Sequence, residues 1–183
     1  SNDAKPVSLR QVALLGYAEE SRALAEEVSP DTEIWGINAA HYFLRRKAHY
    51  WFQLHPRGWT TGGGEATCYF GRPKEYFEWL RKFEGTLYLL EVDPDLPNGT
   101  VFPTEPLLRE FGRKYLTSTF AYQLCLVLFQ HLHGLPVGRL HLYGINLTTE
   151  EEYAKQRPCA EYWLGRLEQA GVEVIIPTAS ALL

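Results

Sequence analysis

The feature that most constrains this chain is a repeated alternation. A short apolar run closed by a turn former is followed by a stretch with apolar residues at helical spacing, and then by another apolar run. Gln11-Val12-Ala13-Leu14-Leu15-Gly16 is the first run, and Glu19 to Val28 follows with Ala23, Leu24 and Val28 at helical spacing. Glu33-Ile34-Trp35-Gly36-Ile37-Asn38 is the second run. Ala39 to Arg46 then reads as a short helical stretch, and His49 to His55 as a third strand. Strand, helix, strand, helix, strand predicts a parallel sheet, because parallel neighbours need a crossover and a helix supplies it.

The alternation continues to the end of the chain. Pro56 to Arg72 is polar and irregular around Gly62-Gly63-Gly64, which predicts a flexible loop. A helix over Pro73 to Phe83 precedes a fourth strand, Thr86 to Val92, which runs into a turn from Asp93 to Gly99. Pro106 to Phe111 forms one or two helical turns. Thr117 to Leu132 is apolar on nearly all sides, as in a buried helix, with Thr117, Ser118 and Thr119 as candidate caps. Arg139 to Asn146 is the fifth strand, and Thr148 to Arg157 is a polar segment. A helix starts at Pro158, runs to about Ala170 and stops at Gly171, and the last strand is Val172 to Pro177. The expectation is one Rossmann-like α/β/α three-layer domain over residues 7–183, with a mostly parallel sheet of about six strands. Residues 1–6, opening with Ser1-Asn2, read as a tag remnant and flexible N-terminus.

Composition removes several function classes. The 18 Lys and Arg against 22 Asp and Glu leave a net charge of −4, and the longest basic run is Arg45-Arg46-Lys47, which argues against a nucleic-acid partner. The apolar stretch Phe120 to Phe129 is broken by Gln123 and falls short of the ~20 residues that span a bilayer, so no membrane partner is expected. Cys68, Cys125 and Cys159 are odd in number and widely spaced. They suit neither a disulfide framework nor a zinc knuckle, and they point to the cytoplasm. His131 and His133, two apart on a helix, do not share a face and make a poor metal pair. Asp93-Pro94-Asp95 has the form of a cation-binding acidic pair, but its setting favours a turn. The first strand end lacks a G-x-G-x-x-G pattern, which disfavours NAD. No metal and no cofactor are expected.

In open parallel sheets the ligand lies outside the carboxyl ends of the strands, where the strand order reverses. That rule gathers Gly16 and Tyr17, Asn38, His55, Ser118 and Thr119, and Tyr143, Gly144 and Asn146 as ligand-binding candidates. Each has a plainer reading. Gly16 could serve only the turn, Asn38 and Asn146 could be caps or Asx-turn residues, and Ser118 and Thr119 could cap the buried helix. His55, where a strand opens into a loop, is the catalytic candidate as acid or base, against a structural histidine as the alternative. The free N–H groups of the buried helix would attract an anion. Gln156 and Arg157 precede a helix start, where a guanidinium would favour phosphate or carboxylate, and Tyr153 beside them suggests a lid over the cleft. The plainer reading pairs Arg157 with Glu161.

Six segments together resemble a family of small Rossmann-like proteins of phages and prophages: Glu33 to Asn38, Trp51 to His55, Tyr115 to Tyr122, Leu142 to Asn146, Glu152 to Pro158 with Glu161-Tyr162, and Ile176 to Ser180. The resemblance runs from the first strand to the C-terminus, and it implies cytoplasmic location in a host cell. The layout is also distantly similar to motility-accessory-factor and sialyltransferase-like glycosyltransferases, whose Rossmann domains bind nucleotide-activated sugars. The first turn, Gly16-Tyr17-Ala18-Glu19-Glu20-Ser21, departs from the G-x-G-P-S turn of relatives. Glu19 and Glu20 would repel a phosphate there and could take ribose or sugar hydroxyls instead. The resulting expectation is binding of a nucleotide or nucleotide-sugar, with transfer or hydrolysis of the attached group. The alternative is a non-catalytic phage module, either a nucleotide sensor or sponge or a protein-interaction module. The two differ in whether ligand is turned over.

Overall fold

The computed structural model describes residues 9–55, 73–150 and 152–182. Seven strands form one sheet in the order β5-β4-β3-β2-β1-β6-β7, and every neighbouring pair is parallel. The strands are β1 (Arg10–Leu15), β2 (Glu33–Ile37), β3 (Tyr50–Gln53), β4 (Thr86–Leu89), β5 (Gly99–Val101), β6 (Val137–Tyr143) and β7 (Glu173–Ile175). Five α-helices accompany them among the described residues: α1 (Glu19–Arg22), α2 (Pro73–Arg81), α3 (Thr104–Phe111), α4 (Thr119–Leu132) and α5 (Arg157–Gln169). This is the Rossmann-like α/β architecture that the alternation predicts.

Burial on both faces of the sheet explains the unbroken apolar runs. Along β1, Val12 and Leu14 face a core shared with Phe111 of α3, Leu124 and Leu128 of α4 and Trp163 of α5. Ala13 and Leu15 face the other core, with Ala25, Ala39 and Tyr76. A strand buried on both sides has no polar alternation to show, whereas α4 shows the helical equivalent. Its Phe120, Ala121, Leu124, Cys125, Val127 and Leu128 are all buried, so hardly any of its circumference meets water.

The differences from expectation are local. Among the described residues there are seven strands, because the chain enters β5 at Gly99, where the sequence predicts the end of a turn. Leu87 pairs with Gly99 and Leu89 with Val101, and the Asn98 side chain anchors the entry by donating to the carbonyls of Leu80 and Phe83 at 2.9 and 3.1 Å. The helix expected after β1 is only the short α1, continued by a 3-10 segment Ala23–Glu26, and the stretch after β2 is a 3-10 segment Asn38–Phe43. The third and fourth strands are shorter than read. In the turn before β5 the Asp93 carboxylate accepts from the Asp95 N–H at 2.9 Å, an Asx turn. His131 binds two chain segments together: its Nδ1 accepts from the Val137 N–H at 3.0 Å while its Nε2 lies 3.0 Å from the Ala170 carbonyl. Among the described residues no helix is long and apolar enough to cross a membrane. The loop around Gly62-Gly63-Gly64, with Cys68, lies outside the described residues.

Candidate functional site

Strand order runs one way from β1 through β2 to β5 and the other way through β6 to β7, so the reversal falls between β1 and β6. Two neighbouring crossovers leave that point in opposite directions, and a crevice opens at the carboxyl ends. The structure has a cleft of about 830 Å³ there. It gathers Gly16, Tyr17, Asn38, His55, Ser118, Thr119, Gly144, Asn146 and Gln156 from the residues anticipated in the sequence.

Its floor is a close meeting of two strand-end turns. The Gly16 N–H donates to the Tyr143 carbonyl and the Ala18 N–H to the Gly144 carbonyl, both at 2.8 Å. The buried Ser21 hydroxyl accepts from the Gly144 N–H at 2.9 Å, fixing α1 to the end of β6. Tyr17 spans the cleft, where its hydroxyl accepts from the Ala39 N–H at 3.2 Å. Tyr143 itself is not among the lining residues. It is buried beneath the cleft, with its hydroxyl 3.2 Å from Nδ1 of His141.

Asn38 and His55 form the centre of one wall. Asn38 is 5% exposed and holds a left-handed backbone at φ 44°, which non-glycine residues rarely adopt. Its carbonyl accepts from the Trp51 indole N–H at 2.9 Å, and its amide nitrogen lies 3.2 Å from Nε2 of His55. With the amide oriented this way its nitrogen donates to Nε2, which matches the neutral ring tautomer that carries its proton on Nδ1. Burial holds the His55 pKa below the ordinary histidine value, which favours this neutral form. His55 also borders a second cavity of about 530 Å³ between the ends of β3 and β4, with Leu54, Leu89, Val92 and Asp93.

The opposite wall is the start of α4. Ser118 is its N-cap, and its hydroxyl accepts from the Ala121 N–H at 3.2 Å. Thr117 donates to the Lys155 carbonyl at 3.2 Å, tying this wall to the π-helical turn Glu152–Gln156. Asn146 closes the rim: its amide donates to Glu20 at 3.1 Å, and its Oδ1 accepts from the Ala181 N–H at 3.3 Å. The Ser180 hydroxyl donates to the Ile145 carbonyl at 2.9 Å and fastens the C-terminal segment to the same loop.

Arg157 stands elsewhere. Its guanidinium donates to Glu161 at 3.0 Å and to the Ala181 carbonyl at 2.7 Å, and it does not line the cleft. Among the described residues the cation that does is Arg22, which the sequence pattern does not single out. It lies 3.6 Å above the Phe43 ring, donates to the Tyr17 carbonyl at 2.9 Å and stands 3.5 Å from Glu19. The signal available in the sequence was the Glu19/Arg22 spacing of three on the first helical turn after β1. Glu19 and Glu20 line the same side, so the cleft offers carboxylates on one flank and helix N–H groups on the other. Among the described residues no group of three His, Cys, Asp or Glu is placed to hold a metal ion. No family model, curated protein or solved structure gives a significant match to the chain.

Proposed function

We propose that the protein binds a nucleotide or nucleotide-sugar in the cleft between β1 and β6 and transfers or hydrolyses the attached group. The observation that carries this reading is convergence. Residues from five separate stretches of chain, Gly16, Asn38, His55, Ser118 with Thr119, and Asn146, border one cleft at the reversal of strand order. The start of α4 and Arg22 hold the anion, because unpaired first-turn N–H groups and a guanidinium both favour negative charge. Glu19, Glu20 and the two asparagines take hydroxyls of the sugar or edges of the base. His55 is the acid/base group.

Calorimetric titration with a panel of nucleotides and nucleotide-sugars tests the reading. Binding by at least one of them at micromolar to millimolar concentration is expected, and silence from the whole panel at millimolar concentration would discard it.

A second reading, a non-catalytic nucleotide sensor or sponge, is favoured by the Asn38–His55 contact. The one ring lone pair of His55 already accepts a hydrogen bond from Asn38, and the Ser118 hydroxyl already caps a helix. Prolonged incubation of stoichiometric protein with its ligand separates the two readings, since released product requires the enzyme.

A further inference from the structure

A different cavity lies at the other end of the sheet. Residues 44–48, which lead into β3, and residues 79–85, which lead from α2 into β4, enclose a groove of about 340 Å³ at the amino ends of those strands. Arg45, Arg46, Lys47 and Lys82 line it against the single carboxylate of Glu84. Arg46 is committed to the fold, since its guanidinium donates to the carbonyls of Ala25, Val28 and Ser29. Arg45, Lys47 and Lys82 are exposed and enter no ion pair among the described residues. A second carboxylate stands nearby, because Glu26 accepts from the backbone N–H of Arg45 at 2.6 Å.

The groove is not only basic. Trp79 and Phe83 line it with ring centroids 5.2 Å apart, and His41 stacks on Trp79 at 4.6 Å. The chain as a whole is acidic, at −4, so three cations with no ion-pair partner among the described residues, around one aromatic wall, are a local feature and not the average surface. Cations alone would accept any anion. The rings add a preference for a ligand with a flat apolar part, and arginine and lysine beside aromatic edges suit a phosphate ester more than a bare ion. The volume is at the small end of ligand pockets, which run from about 300 to 1,000 Å³, and it suits a small molecule better than a polymer.

We propose that this groove is a second ligand site, which takes a small organic phosphate: one or two phosphate groups held by Arg45, Lys47 and Lys82, with a flat heteroaromatic body against Trp79 and Phe83. It lies at the strand end opposite the cleft, and it stands whether or not the cleft binds nucleotide.

The test uses two probes, inorganic pyrophosphate and adenosine diphosphate, with ¹H–¹⁵N spectra of the whole chain. The Trp79 indole N–H is assigned by Trp79→Phe, and the Gly16 and Gly144 amides report on the cleft. Adenosine diphosphate should shift the Trp79 indole signal and bind this site more tightly than pyrophosphate. The double variant Lys47→Glu/Lys82→Glu, altered only at exposed positions, should weaken that binding about tenfold or more while any change at Gly16 and Gly144 persists. Added salt should weaken it too. An unmoved Trp79 signal with both probes at 10 mM overturns the site. Equal affinity for the two probes overturns the aromatic part, and undiminished binding in the double variant overturns the cationic part.

Discussion

Gly16 and Gly144 meet backbone to backbone at the reversal of strand order. A Cβ on Gly16 would stand 2.4 Å from the Gly144 carbonyl oxygen, and one on Gly144 would stand 2.5 Å from the Gly16 oxygen. Gly144 also holds φ 68°, a left-handed conformation that a side chain disfavours. Neither clash has a flexible side chain that could yield. Gly144→Ala should therefore cost about 2–5 kcal/mol, the sum of overpacking and backbone strain, against about 1–3 kcal/mol for Gly16→Ala. Urea unfolding of both variants measures this, and equal, negligible losses would mean that the turns separate freely.

Arg10 and Glu33 cross from β1 to β2 in a two-pronged pair, both bonds 2.8 Å, and the Trp35 indole N–H adds a third bond to the same carboxylate at 3.1 Å. Burial pushes the Glu33 carboxyl up, but the hydrogen bonds from Arg10 and Trp35 and the guanidinium charge outweigh it and hold its pKa below the usual carboxylate range. The folded state therefore keeps this carboxylate ionised at pH values where the unfolded chain protonates it. The stabilisation is complete above the unfolded pKa and is lost as pH falls through the lower folded value. Glu33→Gln should cost about 1–3 kcal/mol at pH 7 and less at pH 3, because the lost partner was charged and partly buried. A variant equally destabilised at both pH values would contradict this assignment.

His41 should give an acid response in a different window. Burial among Tyr42, Tyr76 and Trp79 pushes its imidazole pKa down to about 4. Between the ordinary histidine value of about 6.5 and that folded value the unfolded chain takes up a proton that the folded chain refuses, so stability falls as pH falls through this range. Replacing His41 by Gln should make thermal stability less steep against pH between about 6.5 and 4, leaving the share that His55 and His141, also lowered by burial, contribute there, and should not change the loss at lower pH, where Glu33 titrates. An unchanged slope in the upper window would assign the acid response to other groups.

The strands and most of the cleft were legible for the same reason. A strand buried on both faces reads as an unbroken apolar run, as in Val12 to Leu15, and in a parallel sheet the residue after each run falls at the carboxyl edge. Asn38, His55 and Asn146 follow from that without knowledge of any side-chain direction. β5 was not legible, because its Gly99, Thr100 and Val101 are half-buried or exposed and carry no period that three residues could display. The 3-10 segments were hidden because helical spacing does not distinguish them from short α-helices. Arg22 and Arg157 show the remaining limit: both lie near the start of a helix beside a strand end, and only the side-chain direction separates the one in the cleft from the one outside it.

The Asn38–His55 contact sets the ring chemistry of the cleft. Asn38→Asp would replace the donating amide at Nε2 by a carboxylate, which stabilises the imidazolium and should move the His55 pKa up from its burial-lowered value. The ring ¹H signals of His55 followed through a pH titration report this directly. A titration indistinguishable from that of the unaltered chain would show that the two side chains do not touch in solution. Asn38→Gly keeps the left-handed backbone and removes the amide, so it separates the hydrogen bond from the strain.

Arg22 and Arg157 make the sharpest contrast. Arg22 lines the cleft and is held in place by the Tyr17 carbonyl and the Phe43 ring, so its charge is aimed without a large entropy loss on binding. Truncation to Ala should weaken an anionic ligand by about one to two decades, the worth of a charge-assisted hydrogen bond of roughly 1.5–3 kcal/mol. Arg157 instead joins the start of α5 to Glu161 and to the C-terminal segment at Ala181, outside the cleft. Arg157→Ala should leave affinity unchanged and lower the melting temperature by about 3–6 °C, since an i,i+4 pair contributes about 0.3–0.5 kcal/mol and the carbonyl bond adds about 1 kcal/mol. Affinity and melting temperature measured on both variants, with one ligand established on the unaltered chain, decide the matter. If Arg157→Ala loses affinity while Arg22→Ala does not, the segment before Pro158 swings over the cleft on binding, and the anion is held from that side.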